Sequence, residues 1–187
     1  SGPDVALSTQ YVTLIVPYRG ATSPVLSAQL LENDPTSGVV AVEVTLEERT
    51  DRVISTLDQQ QRRYGPATVA GQFAFCSTDG RSSAVQGYLL NGTQLECGEL
   101  NIVLDRPNTT RRVQSVADRT YKLSEPVPHP PPTVGSYLLA GASPRTGFAL
   151  ESVTQATMTV RDYPAVACDQ ITVLNSRWLR IEPQGTR

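Results

Sequence analysis

Two dipeptides near the middle of the chain constrain its fold more than any other feature. Asp79-Gly80 and Asn91-Gly92 each lie between strand-length segments that carry Val, Phe, Tyr, Leu and Ile. Asn-Gly and Asp-Gly tolerate the consecutive positive φ values of a type I′ turn, whose twist matches that of a β-hairpin. Residues 67–104 therefore read as a three-stranded antiparallel meander turning at those two dipeptides.

The flanking segments extend the same pattern. In residues 39–46, Val40, Val42, Val44 and Leu46 share one face while Ala41, Glu43 and Thr45 share the other, the alternation of a half-buried strand. Residues 11–16, rich in β-branched side chains, read as a strand that Pro17 ends. Residues 22–27 read as loop, and Leu30-Leu31 lead into a dense turn signal over 33–38. Residues 52–57 are a further strand; 58–64 form a helical turn or an exposed loop that Gly65-Pro66 closes.

Beyond the meander, 105–110 is a loop, 112–116 alternates weakly and 120–124 is a short strand. Five prolines in the seven residues 126–132 favour polyproline II. The 55 residues after Pro132 are too few for a core of their own, so this tract reads as a stiff surface crossing rather than a domain boundary. Residues 134–140 form a strand, 141–147 a loop, 148–160 one strand bulged after Leu150, and 171–174 with 178–181 a final pair joined through Asn175-Ser176. Ten to twelve short strands with hardly a helix indicate an all-β antiparallel sandwich or barrel with long polar loops, as one domain over 1–187. Ser1-Gly2-Pro3 reads as an artificial junction, which makes the chain a piece of a larger protein.

Composition excludes several classes of partner. A net charge of -2 does not suit a nucleic-acid binder, which carries a basic excess. No apolar run approaches the roughly 18 residues of a membrane span. Fifteen of the sixteen basic residues are Arg, the bias that a GC-rich coding sequence produces and that also suits planar recognition. The three cysteines, Cys76, Cys97 and Cys168, are odd in number and irregularly spaced, unlike a disulfide framework. With two-residue turns in the meander, Cys76 falls opposite Ser83 and Cys97 opposite Gln86. That puts the two thiols on the outer strands, about 10 Å apart and beyond disulfide reach. All three are expected as free thiols used in packing.

The sequence presents no catalytic set. His129 sits inside the proline tract, a poor place for a triad histidine. One His and three scattered Cys do not make a zinc site. Phosphate-binding glycine loops are absent, and no cofactor is expected. Glu43, Glu47, Glu48, Glu96 and Glu99 supply carboxylates for a glycosidase pair, but Glu96 and Glu99 fall on opposite faces of their strand. Asp79-Gly80-Arg81 is explained by its turn. Asn91-Gly92-Thr93 and Asn108-Thr109-Thr110 are N-glycosylation sequons that, beside unpaired cysteines, suit a chain that does not mature in an oxidising lumen. Pro128-His129-Pro130-Pro131 lacks the basic neighbour of a PxxP ligand.

A β-scaffold with polar loops and no catalytic set points to recognition. In general composition, though in no single motif, the chain resembles the protruding (spike) domain of a non-enveloped virus capsid. The resemblance implies a non-catalytic attachment module on the virion surface, made in the cytosol, that assembles as a dimer or trimer and binds a host glycan or host surface protein. Candidate contact loops are 58–65, 105–112 and 141–147, all polar and Arg-bearing, and no single contact residue stands out. The alternatives are an extracellular adhesion module of immunoglobulin-like type, against which the Cys…Trp…Cys order is missing, and a carbohydrate-active enzyme on a β-scaffold.

Overall fold

The structure, a computed structural model, describes residues 12–80, 84–127, 136–141, 146–161 and 164–181. Ser1-Gly2-Pro3, the proline tract from residue 128 with His129, Arg81 and most of the 141–147 loop lie outside the described residues. Within them are fourteen strands and no helix, all paired antiparallel where register is defined. In chain order these are β1 (Val25–Asp34), β2 (Val39–Leu46), β3 (Arg49–Ser55), β4 (Arg62–Tyr64), β5 (Ala67–Asp79), β6 (Ala84–Cys97) and β7 (Leu100–Val103). They continue as β8 (Asn108–Ala117), β9 (Thr120–Leu123), β10 (Tyr137–Ala140), β11 (Thr146–Val153), β12 (Thr157–Val160), β13 (Gln170–Leu174) and β14 (Ser176–Arg180).

The chain divides into two compact units. The first holds the described residues up to Leu89, then Gln94–Ile102 and those from Trp178 onward; the second holds Leu90–Thr93 and the described part of Val103–Arg177. An eight-stranded sheet runs in the order β1-β2-β3-β5-β6-β14, with β4 beside β5 and β7 beside β6. The β1–β2 hairpin is closed by Asp34, whose carboxylate accepts from the Thr36 amide (2.9 Å) and the Ser37 hydroxyl (2.6 Å). The Ser37 hydroxyl, then the amide bonds, hold the Asp34 carboxyl below its usual range.

The second unit is a closed barrel in the order β10-β11-β12-β9-β8-β13. Its interior is filled from a period of two. Tyr121 and Leu123, Leu138 and Ala140, Phe148 and Leu150, Met158 and Val160, and Ile171 and Val173 come as i, i+2 pairs from five strands. The sixth strand, β8, adds the half-buried Val113 and Val116. The Tyr121 hydroxyl accepts the Val166 amide at 3.0 Å, so the one polar tip in this cluster is satisfied. Register shifts between Leu150 and Ser152 and between Val113 and Ser115 bend β11 and β8, as barrel closure requires.

The meander of β5, β6 and β7 is present, but its second turn is elsewhere. Asn91-Gly92 lies inside β6, and the chain reverses at Gly98-Glu99. Gly98 supplies the positive φ (58°) that this turn requires. Asn91 has φ 48° within the strand, at the point where β6 passes from the first unit into the second and back. Its tolerance of the left-handed region is used to redirect a strand rather than to end one.

Four other expectations are corrected. Val12 to Val16 join no strand; the place beside β2 is taken by β1, in a segment whose first residues read as loop. The buried start of β2 is Val39 and Ala41, with Val40 and Val42 half-buried, so both faces of that strand are covered. The segment 148–160 is two strands, because Thr154 makes a side-chain turn: its Oγ1 accepts from the Ala156 and Thr157 amides at 3.3 and 3.0 Å. The last two strands do not pair with each other: β13 lies between β8 and β10, while β14 pairs with β6.

Candidate functional site

The first unit carries a row of aromatic rings from three adjacent strands. Phe73 and Phe75 project from β5 at a spacing of two, Tyr88 from β6 and Trp178 from β14. Trp178 and Phe75 are nearly parallel, with centroids 6.2 Å apart and planes at 8°. Tyr88 tilts against Trp178 (6.0 Å) and against Phe73 (6.1 Å). These are the separations of favourable offset and tilted ring pairs.

The row lies on the face of β5 opposite to its buried Ala74 and Cys76. Trp178 is 55% exposed, while Phe73, Phe75 and Tyr88 are half-buried. Register carries the apolar surface across the sheet, since Phe75 faces Val53, Val53 faces Val42, and Val42 faces the exposed Leu30. Polar side chains flank the rings: alternation puts Gln86 on the side of Tyr88 and the exposed Arg180 on that of Trp178, and Ser55 faces Phe73. The result is a surface with apolar rings at its centre and hydrogen-bonding groups at its margin.

The three Arg-bearing segments are placed differently from expectation. In 58–65, Arg62 grips Asp58 through two bonds of 2.6 and 2.7 Å, and residues 62–64 are strand β4 rather than loop or helix. This pairing, then the Gln60 amide, holds the Asp58 carboxyl down at about 2. In 105–112 only residues 105–107 are loop; β8 begins at Asn108, and Arg112 faces Gln170 across the β8–β13 ladder. There Thr110, Arg111 and Arg112 line an open depression of about 380 Å³ with Glu125 and Gln170. Of 141–147, only the ends are described.

The five glutamates are placed as follows. Glu43 binds Arg52 at 2.7 Å, Glu96 accepts from Gln94 at 2.7 Å, and Glu47, Glu48 and Glu99 are exposed. Glu99 lies in the β6–β7 turn, not on a strand face opposite Glu96. Among the described residues, no group of three or more His, Cys, Asp or Glu side chains could hold a metal ion.

The cysteines depart most from expectation. Cys76 and Cys97 are free thiols, both fully buried, but their sulfurs touch at 3.1 Å instead of lying on opposite sides of a central strand. The 10 Å separation depended on a turn at Asn91-Gly92. Instead β6 bends at Asn91, so that Leu95 lies against Gly87 and Cys97 reaches Cys76. Cys168 is half-buried against the barrel core.

Sequence reasoning missed the aromatic row. The Phe73/Phe75 spacing was visible, but which strands flank β5 was not, and the row depends on β14 returning from the far end of the chain to pair with β6. No protein-family model matches the chain, and no curated protein matches it significantly.

Proposed function

We propose that the chain is a non-catalytic attachment module that binds a glycan on the outer face of its sheet. The observation that carries this reading is the row of Phe73, Phe75, Tyr88 and Trp178, with Trp178 left more than half exposed. A pyranose ring presents a face of C–H bonds that suits the negative π-face of an indole. Its rim of hydroxyls suits Gln86, Ser55 and Arg180 around the rings. A buried protein interface draws on the same aromatic residues, but flanking planar amide and guanidinium groups favour the sugar.

The setting we propose is the protruding domain of a non-enveloped virus capsid, displayed on the virion surface as a dimer or trimer. Free thiols in the same chain as an exposed aromatic surface support it, as do two sequon asparagines whose side chains bond to each other. The test is a glycan-array screen of the intact chain and of Trp178→Ala, with light scattering for mass. The expected result is a discrete oligomer retaining a defined glycan class, with binding reduced at least tenfold in the variant. Retention of no glycan, or equal binding by both proteins, would overturn the reading.

A further inference from the structure

We propose that Cys76 and Cys97 form an oxidisable dithiol site, converted to a disulfide by small disulfides of the glutathione type. The contact of the two buried sulfurs is the first observation. Thiols used only as small hydrophobes have no need to meet. These two, 21 positions apart in sequence, meet in the interior of the first unit.

The second observation is the cation beside them. Arg52 on β3 faces Cys76 on β5 in the strand register. Its guanidinium is buried, held by Glu43 at 2.7 Å and Thr78 Oγ1 at 3.3 Å, and its Nε has no hydrogen-bond partner. A guanidinium at a dithiol stabilises the thiolate, which is the reactive form. The pair titrates as a unit. The hydrogen bond shared with Cys76, then Arg52, lowers the Cys97 thiol against the opposing effect of burial, while the same bond and burial raise Cys76. With the two sulfurs in contact, either thiol can attack and the other resolve.

The exchange balances as follows. The thiolate of one of the two cysteines attacks one sulfur of the small disulfide, whose S–S bond breaks and releases one small thiolate. The other cysteine then gives up its proton to solvent and attacks the protein sulfur of the mixed disulfide, releasing the second small thiolate. The protein loses two protons and two electrons, and the small disulfide becomes two thiols. Because both sulfurs are buried, the reaction waits on local opening of the strands around them. The site is independent of the glycan surface and does not rest on that reading.

The test treats the intact chain with oxidised glutathione over hours, in buffer and in mild denaturant, then denatures, alkylates and weighs it. Three alkylated thiols should fall to one, at Cys168. Arg81 lies between the paired cysteines, so tryptic peptides should appear joined through Cys76 and Cys97. The oxidised chain should melt higher by on the order of 5–10 °C, reversibly with dithiothreitol. Cys168→Ser should leave the linkage and the shift intact, and Cys97→Ser, where it folds, should abolish both. Three alkylatable thiols after treatment in mild denaturant, or a linkage that includes Cys168, would overturn the proposal.

Discussion

Asn108 donates its side-chain Nδ2 to the Oδ1 of Asn91 at 2.9 Å, so the asparagines of the two sequons are hydrogen-bonded to each other. Asn91 is buried, and its backbone amide donates to the Asn175 carbonyl at 2.8 Å. Asn175 in turn donates through its amide to Pro107 and through its side chain to Arg106. These bonds hold residues 90–93 of β6 within the second unit. Both carboxamides serve the fold.

Asn91 should therefore be sensitive in two separable ways. Asn91→Ala places a Cβ-bearing residue without a carboxamide at φ 48° and loses the bond, costing about 2 kcal/mol. Asn91→Gly relieves the backbone term and Asn108→Ala removes only the bond, so each should cost about 1 kcal/mol. Urea midpoints would rank the three, and equal costs for Asn91→Ala and Asn91→Gly would remove the backbone explanation. Folded protein from a secretory host should carry no glycan on Asn91, by mass.

Arg52 and Glu43 form the most buried ion pair described in the first unit, with side chains 10% and 25% exposed. Removing one partner leaves a charge with little water to replace it. Glu43→Gln should destabilise by about 2–4 kcal/mol, while Arg52→Met with Glu43→Leu, replacing both, should cost less than Glu43→Gln alone. Guanidinium denaturation of the single and double variants measures the difference. A double variant less stable than Glu43→Gln would show that the charges are needed beyond mutual compensation.

The all-β class and most strand ends were legible in the sequence and the pairing of the strands was not, for a physical reason. Local chemistry decides where strands stop: Gly65-Pro66, the 33–38 turn and the bulge after Leu150 all act within a few residues, and all were visible. Pairing between distant strands is decided by packing, and it escaped. Nothing in residues 25–34 announces a strand, because β1 lies at the sheet edge with its side chains mostly exposed and no alternation to show. Asn91-Gly92 has the local chemistry of a turn, yet bonds to Asn108 and Asn175, far along the chain, turn that chemistry to another use. The cysteine contact and the aromatic row both follow from such long-range pairings, so both were hidden.

Asp58 sets the pH response of the β4 hairpin. Its folded carboxyl lies at about 2, below the ordinary 3.8, so its contribution to stability is present above 3.8 and is lost as pH falls through 2. The pair with Arg62 faces solvent, so the effect is small and screened by salt. Asp58→Asn should differ from the parent at about pH 5 and converge with it near pH 2. Carboxyl NMR titration gives the direct check: a midpoint for Asp58 at the ordinary value would mean that the pairing does not persist in solution.

Trp178 is the only tryptophan, so intrinsic fluorescence reports on the proposed glycan surface without labelling. At 55% exposure its emission should be that of a wetted indole and should be quenched by iodide. Tyr88 and Phe75 hold the ring from one side, so Tyr88→Ala should loosen it and lower its emission anisotropy without unfolding the sheet. A bound pyranose covers the remaining face. Titrating an oligosaccharide should therefore shift emission to the blue and reduce iodide quenching at least twofold, in step with binding measured by calorimetry. Heat of binding without any change in Trp178 emission would place the sugar elsewhere, and the Arg111–Arg112 depression on the second unit would then be the surface to mutate.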